Sequence, residues 1–233
     1  MKKALFLHIQ KTAGSSIINI ARKYYGDNMT SYGDCWGHKP TEFINTAFVS
    51  GHIGYDYARS LMPSRFVFTF LRNPIERVLS LYYFCRKMNP DDFLIYRRAH
   101  DLSLEQFLAA SYTDPLIKKN IWNNQVWQLA HGYAHLDERK IDDFSSDELV
   151  TLAMTHLDEM SYVGLTETFK NDRDYILSSL GLPIPKNNIF VNTNTGRPTT
   201  NDMSPGIKEL LMSITSLDQI LYDKVCSLRI LQK

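Results

Sequence analysis

The chain has 233 residues, 44% of them hydrophobic and 22% charged, with 26 Lys+Arg against 25 Asp+Glu and a net charge of +1. So much apolar material with so little net charge excludes a disordered chain, and the near-neutral balance excludes a strong nucleic-acid or polyanion binder unless its basic residues cluster. The length suits one domain with a substantial core, expected to span residues 1–233.

The three cysteines, Cys35, Cys85 and Cys226, are scattered and form no CxxC pair. Neither a zinc ribbon nor a disulfide framework is indicated, and reduced thiols point to a cytoplasmic protein. After Met1-Lys2-Lys3 the apolar run Ala4 to Leu7 is too short for a signal-peptide core, and no stretch reaches the roughly 18 apolar residues of a membrane span.

The first predicted element is a short buried strand over residues 3–8. Ala13-Gly14-Ser15-Ser16 then supplies turn and N-cap chemistry, and Ile17, Ile18, Ala21, Tyr24 and Tyr25 fall at helical spacing up to a stop at Gly26. A second strand is predicted over 47–50, ending at Gly51-His52. The best strand is 65–71, where Phe66, Val67, Phe68, Thr69 and Phe70 run nearly unbroken, as in a central parallel strand buried on both faces. Asn73 can cap the next helix with Pro74 in its first turn, and Ile75, Val78, Leu79 and Tyr82 share one face. Further helices are predicted near 103–111, 116–131, 145–158, 167–180 and 205–231, the last of them broken. A late strand covers 161–165. Strands alternating with helices give an α/β fold, a P-loop-NTPase-like three-layer α/β/α core around a parallel sheet with helical additions.

The segment His8-Ile9-Gln10-Lys11-Thr12-Ala13-Gly14-Ser15-Ser16 lies between a strand and a helix N-terminus, where backbone N–H groups and the helix dipole attract anions. Ser15 and Ser16 add hydroxyls, and Lys11 adds a mobile charge. An ATP-binding P-loop reads GxxxxGK[ST], with its lysine after the glycines; here Lys11 precedes Gly14, and no acidic metal partner follows a later strand. The loop reads as a phosphate site with no required metal, against the plainer alternative of an ordinary βα turn. Arg72 ends the central strand, at the edge where open α/β sheets bind ligands, and its planar fork suits phosphate. Ser80, eight positions on, lies on the following helix.

Together these two segments resemble the carbohydrate-type sulfotransferases, which use 3′-phosphoadenosine 5′-phosphosulfate (PAPS) as donor. The first is similar to the family's HIPKTAGTS loop, with Gln10 where the family usually has proline. The second, RNPIERVLSLYYF from Arg72, resembles the heparan sulfate and uronyl 2-O-sulfotransferase branch, as does Tyr162-Val163-Gly164-Leu165-Thr166-Glu167. The resemblance implies that Lys11 meets the bridging oxygen and the moving sulfonate, with Thr12, Ala13, Gly14, Ser15 and Ser16 around the 5′-phosphate. It implies that Arg72 and Ser80 hold the 3′-phosphate. Asn194, Gly196 and Arg197 form a polar loop that either closes over the donor or merely connects elements.

An acceptor hydroxyl must shed a proton, and neutral imidazole is the natural base near pH 7. His52 ends a strand at the same edge as Lys11 and Arg72. It matches the second histidine of the branch's His-Gly-His, the base, while Ser50 replaces the first. His8 either orients the loop or packs against the nucleotide, and Glu42 and Asp56 are fallback bases. The expected activity is in-line transfer of sulfonate from PAPS to a hydroxyl of a small polar acceptor, a natural-product alcohol or sugar. The alternatives are a P-loop small-molecule kinase and a non-catalytic nucleotide-binding protein. Asp91, Asp92, Trp122, Gln125 and Trp127 are either acceptor-pocket or ordinary core and surface residues. With Lys11, Arg72 and Arg197 assigned to the donor, no basic track is left for a polyanion, so the acceptor is expected to be neutral or cationic.

Overall fold

The structure, a computed structural model, describes residues 1–132, 139–185, 198 and 200–231. In chain order the strands and α-helices are β1 (Ala4–Leu7), α1 (Gly14–Tyr25), β2 (Phe48–Gly51), α2 (Tyr55–Ala58), β3 (Phe66–Leu71) and α3 (Pro74–Cys85). There follow α4 (Leu94–Asp101), α5 (Leu104–Ala110), α6 (Pro115–Ile121), α7 (Asn124–Ala130), α8 (Ser146–Asp158), β4 (Tyr162–Leu165), α9 (Phe169–Leu180), α10 (Pro205–Ile214) and α11 (Ser216–Leu231). The chain divides into two compact units, Met1–Arg72 with Gln125–Val191, and Asn73–Asn124 with Asn192–Lys233.

The first unit holds the sheet, whose four strands run parallel in the order β2-β1-β3-β4. Alternate residues of each strand point to opposite faces. Ala4, Phe6, Phe48, Phe68 and Phe70 form one face, covered by Ile17, Ile20 and Ala21 of α1 and by Phe169, Ile176, Leu177 and Leu180 of α9. Phe6 stacks on Phe68 with ring centroids 4.7 Å apart. The other face, Leu5, Leu7, Val49, Val67 and Leu71, is buried too, with α2 against β1. Burial on both faces explains why these strands read as continuous apolar runs, and it supports the α/β, parallel-sheet expectation. Because the strands are parallel, the residues following β1, β2 and β3 all emerge at one edge.

The second unit gathers α3, α4, α5, α6, α10 and α11 around Val78, Leu79, Leu81, Tyr82, Phe107, Leu108, Ile117, Ile121, Leu211 and Ile214. The Asn73 side chain caps α3 by accepting from Glu76 N, with Pro74 in the first turn, as the sequence predicts. Two expectations need correction. The single helix predicted over 116–131 is two helices, broken where Asn123 adopts φ +41°. Asn123 N donates to Ile214 O at 2.8 Å, while its Oδ1 accepts from Leu217 N and Asp218 N, capping α11. Apolar spacing runs through the break because the residues on both sides are buried, so periodicity alone hides it. Helix α4, absent from the sequence reading, buries little besides Ala99 and carries Arg97, Arg98 and His100, which masks its period. The predicted break within 205–231 falls at Thr215, whose Oγ1 bonds back to Leu211 O.

Among the described residues no helix is long and apolar enough to cross a membrane, and no group of three His, Cys, Asp or Glu is placed to hold a metal ion.

Candidate functional site

The site is built at the sheet edge of the first unit. Beyond β1 the chain turns sharply, and Thr12 Oγ1 closes the turn on Ile9 O at 2.7 Å. Lys11 and Ala13 take left-handed φ values of 69° and 67°. Two non-glycine residues held there, two positions apart, cost about 1–2 kcal/mol each. Helix α1 starts at Gly14, three residues before the first periodic apolar residue, so Ser15 and Ser16 lie inside its first turn and Ala13 takes the cap position that the sequence reading gave to the serine segment. No side chain caps this helix and no acid occupies its first turn, while Arg22 and Lys23 sit in its last. The positive end of its dipole therefore favours an anion.

His8 follows β1, is 3% exposed and stacks on Phe6. Its imidazole lies against Gly14 so closely that a Cβ there would stand 1.7 Å from Nε2. We therefore expect Gly14→Ala to displace either the imidazole or the loop, at a cost of about 1–3 kcal/mol typical of overpacking. Thermal unfolding of Gly14→Ala and of the His8→Ala/Gly14→Ala pair checks this, the second recovering much of the stability lost in the first.

His52 follows β2 and is partly exposed. Its ring lies 4.4 Å from that of His8, centroid to centroid. The His52 Nδ1 atom stands 3.0 Å from His8 O. A carbonyl only accepts, so Nδ1 carries the hydrogen and Nε2 keeps its lone pair. Burial holds the His52 pKa down to about 4, the bond to His8 O opposing this and the charge of Lys11 adding to it. Burial likewise keeps His8 well below the usual histidine range, helped by His52 and Lys11. Both rings are thus neutral near pH 7 and both feel the Lys11 ammonium. Ser50, in place of a first histidine, is fully buried within β2, its backbone tied to Thr30 Oγ1. The second imidazole beside His52 is instead that of His8, just after β1.

Arg72 follows β3 and donates from Nη1 to Lys11 O at 3.2 Å, so it also braces the loop after β1. Two residues missed as site-builders hold all three strand ends. Gln125 clasps the Arg72 backbone, accepting from its N at 3.0 Å and donating to its O at 2.9 Å. Gln128, one helical turn on, donates to His8 O at 3.0 Å and to Ile53 O at 2.8 Å. Both are fully buried. Helix α7 comes this close because Gly54 has no side chain: a Cβ there would lie 2.2 Å from His131 O. Their spacing fits one helix face, but nothing in a sequence shows which backbone that face will meet.

Lys11, Thr12, Ala13, Gly14, Ser15, Ser16, His52 and Arg72 are thus brought together. Ser80 lies on α3 in the second unit, partly exposed. Asn194, Gly196 and Arg197 lie outside the described residues. Of the fallback bases, Glu42 pairs with His38 at 2.9 Å and accepts from Lys39 N, and Asp56 pairs with His131. Trp127 is core, 6% exposed, while Trp122 packs edge-on against Tyr112 and Asp91 pairs with Arg97 in the second unit.

Among solved structures the chain is similar to a sulfotransferase from Alicyclobacillus acidocaldarius, at 15% identity and TM-score 0.47, over 95% of this chain and 96% of that one. It is also similar to the mouse sulfotransferase SULT7A1 complexed with PAP, at 12% identity and TM-score 0.46, over 97% of this chain and 89% of that one. No curated protein matches it significantly. The model of the sulfotransferase family matches residues 1–223, and the chain belongs to that family.

Proposed function

We propose that the protein transfers sulfonate from PAPS to a hydroxyl of a small polar acceptor, with His52 as general base. The observation that carries this reading is the fixed tautomer of His52. Its Nδ1–H is spent on His8 O, so Nε2 is the basic atom, beside the Lys11 charge and the open end of α1. In this reading Nε2 takes the acceptor proton, the acceptor oxygen bonds to sulfur, and the bond from sulfur to the 5′-phosphate oxygen breaks. Lys11 and the N–H groups of residues 13–15 meet the charge that gathers on the leaving phosphate, the preorganised electrostatics that dominate such transfers. The Thr12 hydroxyl is committed to Ile9 O, so its contribution is the turn itself. The resemblance to the 2-O-sulfotransferase branch gives Arg72 the 3′-phosphate. The structure adds its brace on Lys11 O.

Titration calorimetry with 3′-phosphoadenosine 5′-phosphate (PAP) and, separately, with ATP and magnesium tests the donor. PAP should bind without magnesium and ATP–Mg should not compete; the reverse would make the protein a kinase. Arg72→Ala should weaken PAP by about 1.5–3 kcal/mol, the worth of a charge-assisted bond, and should lower turnover as well because the loop loses its brace.

A further inference from the structure

Residues 30–38 form a loop beside His52 whose backbone is tied down at several points. Tyr32 O accepts from His52 N at 2.9 Å, and Trp36 Nε1 donates to His52 O at 3.3 Å. The Asp34 carboxylate accepts from Ser31 N, and Tyr57 Oη donates to His38 O. Cys35 is buried against Thr30. From this fixed frame the Tyr32 and Trp36 side chains stay 38% and 44% exposed. The Tyr32 ring stands 6.0 Å from that of His52, and its hydroxyl reaches Ser15 Oγ at 3.2 Å, linking the base to the phosphate loop. Tyr32 also holds φ +48°, costly for a bulky residue and a pointer to use rather than packing. Gly33 lies under the Trp36 ring, with space for a Cβ only 3.1 Å from it.

We propose that Tyr32 and Trp36 form the acceptor subsite and that the acceptor it takes is an aryl alcohol, a phenol whose ring lies on these aromatic faces with its hydroxyl at His52 Nε2. This rests on the sulfonate-transfer reading above and names its substrate class. An acceptor must lie against the base, and the exposed side chains that flank the base are flat, carbon-rich and uncharged. The low basicity of His52 points the same way. A weak base removes a proton more readily from a phenol, with pKa about 10, than from the far less acidic hydroxyl of an alkyl alcohol or sugar. In the step the phenolic proton passes to Nε2, the phenolic oxygen bonds to sulfur, and PAP leaves with the electron pair of the broken S–O bond.

The test measures transfer from PAPS to 4-methylphenol, 4-methylcyclohexanol and methyl glucoside, with PAP affinity measured on the same proteins. The native protein should prefer 4-methylphenol by at least about 100-fold in kcat/KM over its saturated counterpart. Trp36→Leu should raise the KM for 4-methylphenol about tenfold with PAP affinity unchanged, while Trp36→Phe, which keeps a ring but loses the bond to His52 O, should restore it. Equal or better transfer to the cyclohexanol or the glucoside overturns the proposal. So does an unchanged KM in Trp36→Leu, or a loss of PAP affinity shared by both variants. A protein that binds PAP but sulfonates none of the three overturns the aryl-acceptor proposal alone, whereas failure to bind PAP overturns the donor reading beneath it.

Discussion

Lys11→Ala should cut sulfonate transfer from PAPS by about 100- to 1,000-fold, the loss seen when one preorganised donor to a developing charge is removed. The fall should appear in kcat, because the charge that Lys11 meets grows as the phosphate leaves. Thermal stability should barely move: the side chain is partly exposed, and its backbone oxygen still accepts from Arg72. Alanine carries the same cost as lysine at φ 69°, so the backbone is no worse off. Lys11→Arg, which keeps the charge on a bulkier planar head, should fall between the two. Single-turnover kinetics, with PAP affinity as the control, make the measurement. A Lys11→Ala protein that keeps native kcat would sink the assignment.

His52→Ala should lower kcat by about 100- to 10,000-fold, the range for a lost general base, with PAP affinity preserved. The pH dependence follows from the pKa. On the proposed mechanism the base works as neutral imidazole, so activity should be lost as pH falls through about 4, and kcat/KM should be flat between roughly pH 6 and 8. Stability carries a linked signature. Folding holds both His52 and His8 below the ordinary value of 6.5, chiefly by burial. Unfolding between that value and about 4 therefore takes up protons, and stability declines as pH falls through this window. Near its middle the decline should approach about 1.4 kcal/mol per pH unit for each histidine. Denaturant titrations from pH 7 to 5 should show a gentler slope for His52→Ala than for the native chain. An unchanged slope would mean that His52 is not held neutral by the fold.

The grouping of the residues proposed to hold the donor was largely legible in the sequence. Lys11, Gly14, Ser15 and Ser16 fall within six positions at a strand-to-helix turn, and parallel strands oblige Lys11, His52 and Arg72 to emerge at one edge. What was missed lies in partnerships. The loop 30–38, which frames His52 with Tyr32 and Trp36, has no periodicity and reads as a bare connector. Gln125 suggested a pocket lining, yet it is spent on the Arg72 backbone. Asn123 sits in an unbroken helical pattern and ends it, because its side chain has amides of α11 to cap.

Composition and short-range spacing determined that this chain folds as an α/β protein with a parallel sheet, and which residues gather at one edge of it. Apolar alternation and turn residues act over a few positions, and those forces are written into neighbouring letters. Only the tertiary structure decided which nitrogen of His52 keeps its lone pair, which imidazole stands beside it, and what holds the strand ends in place. Those outcomes turn on bonds such as Gln128 to His8, 120 positions apart. A hydrogen bond of that reach leaves no period in the sequence, because its partner is chosen by the packing of helix against sheet.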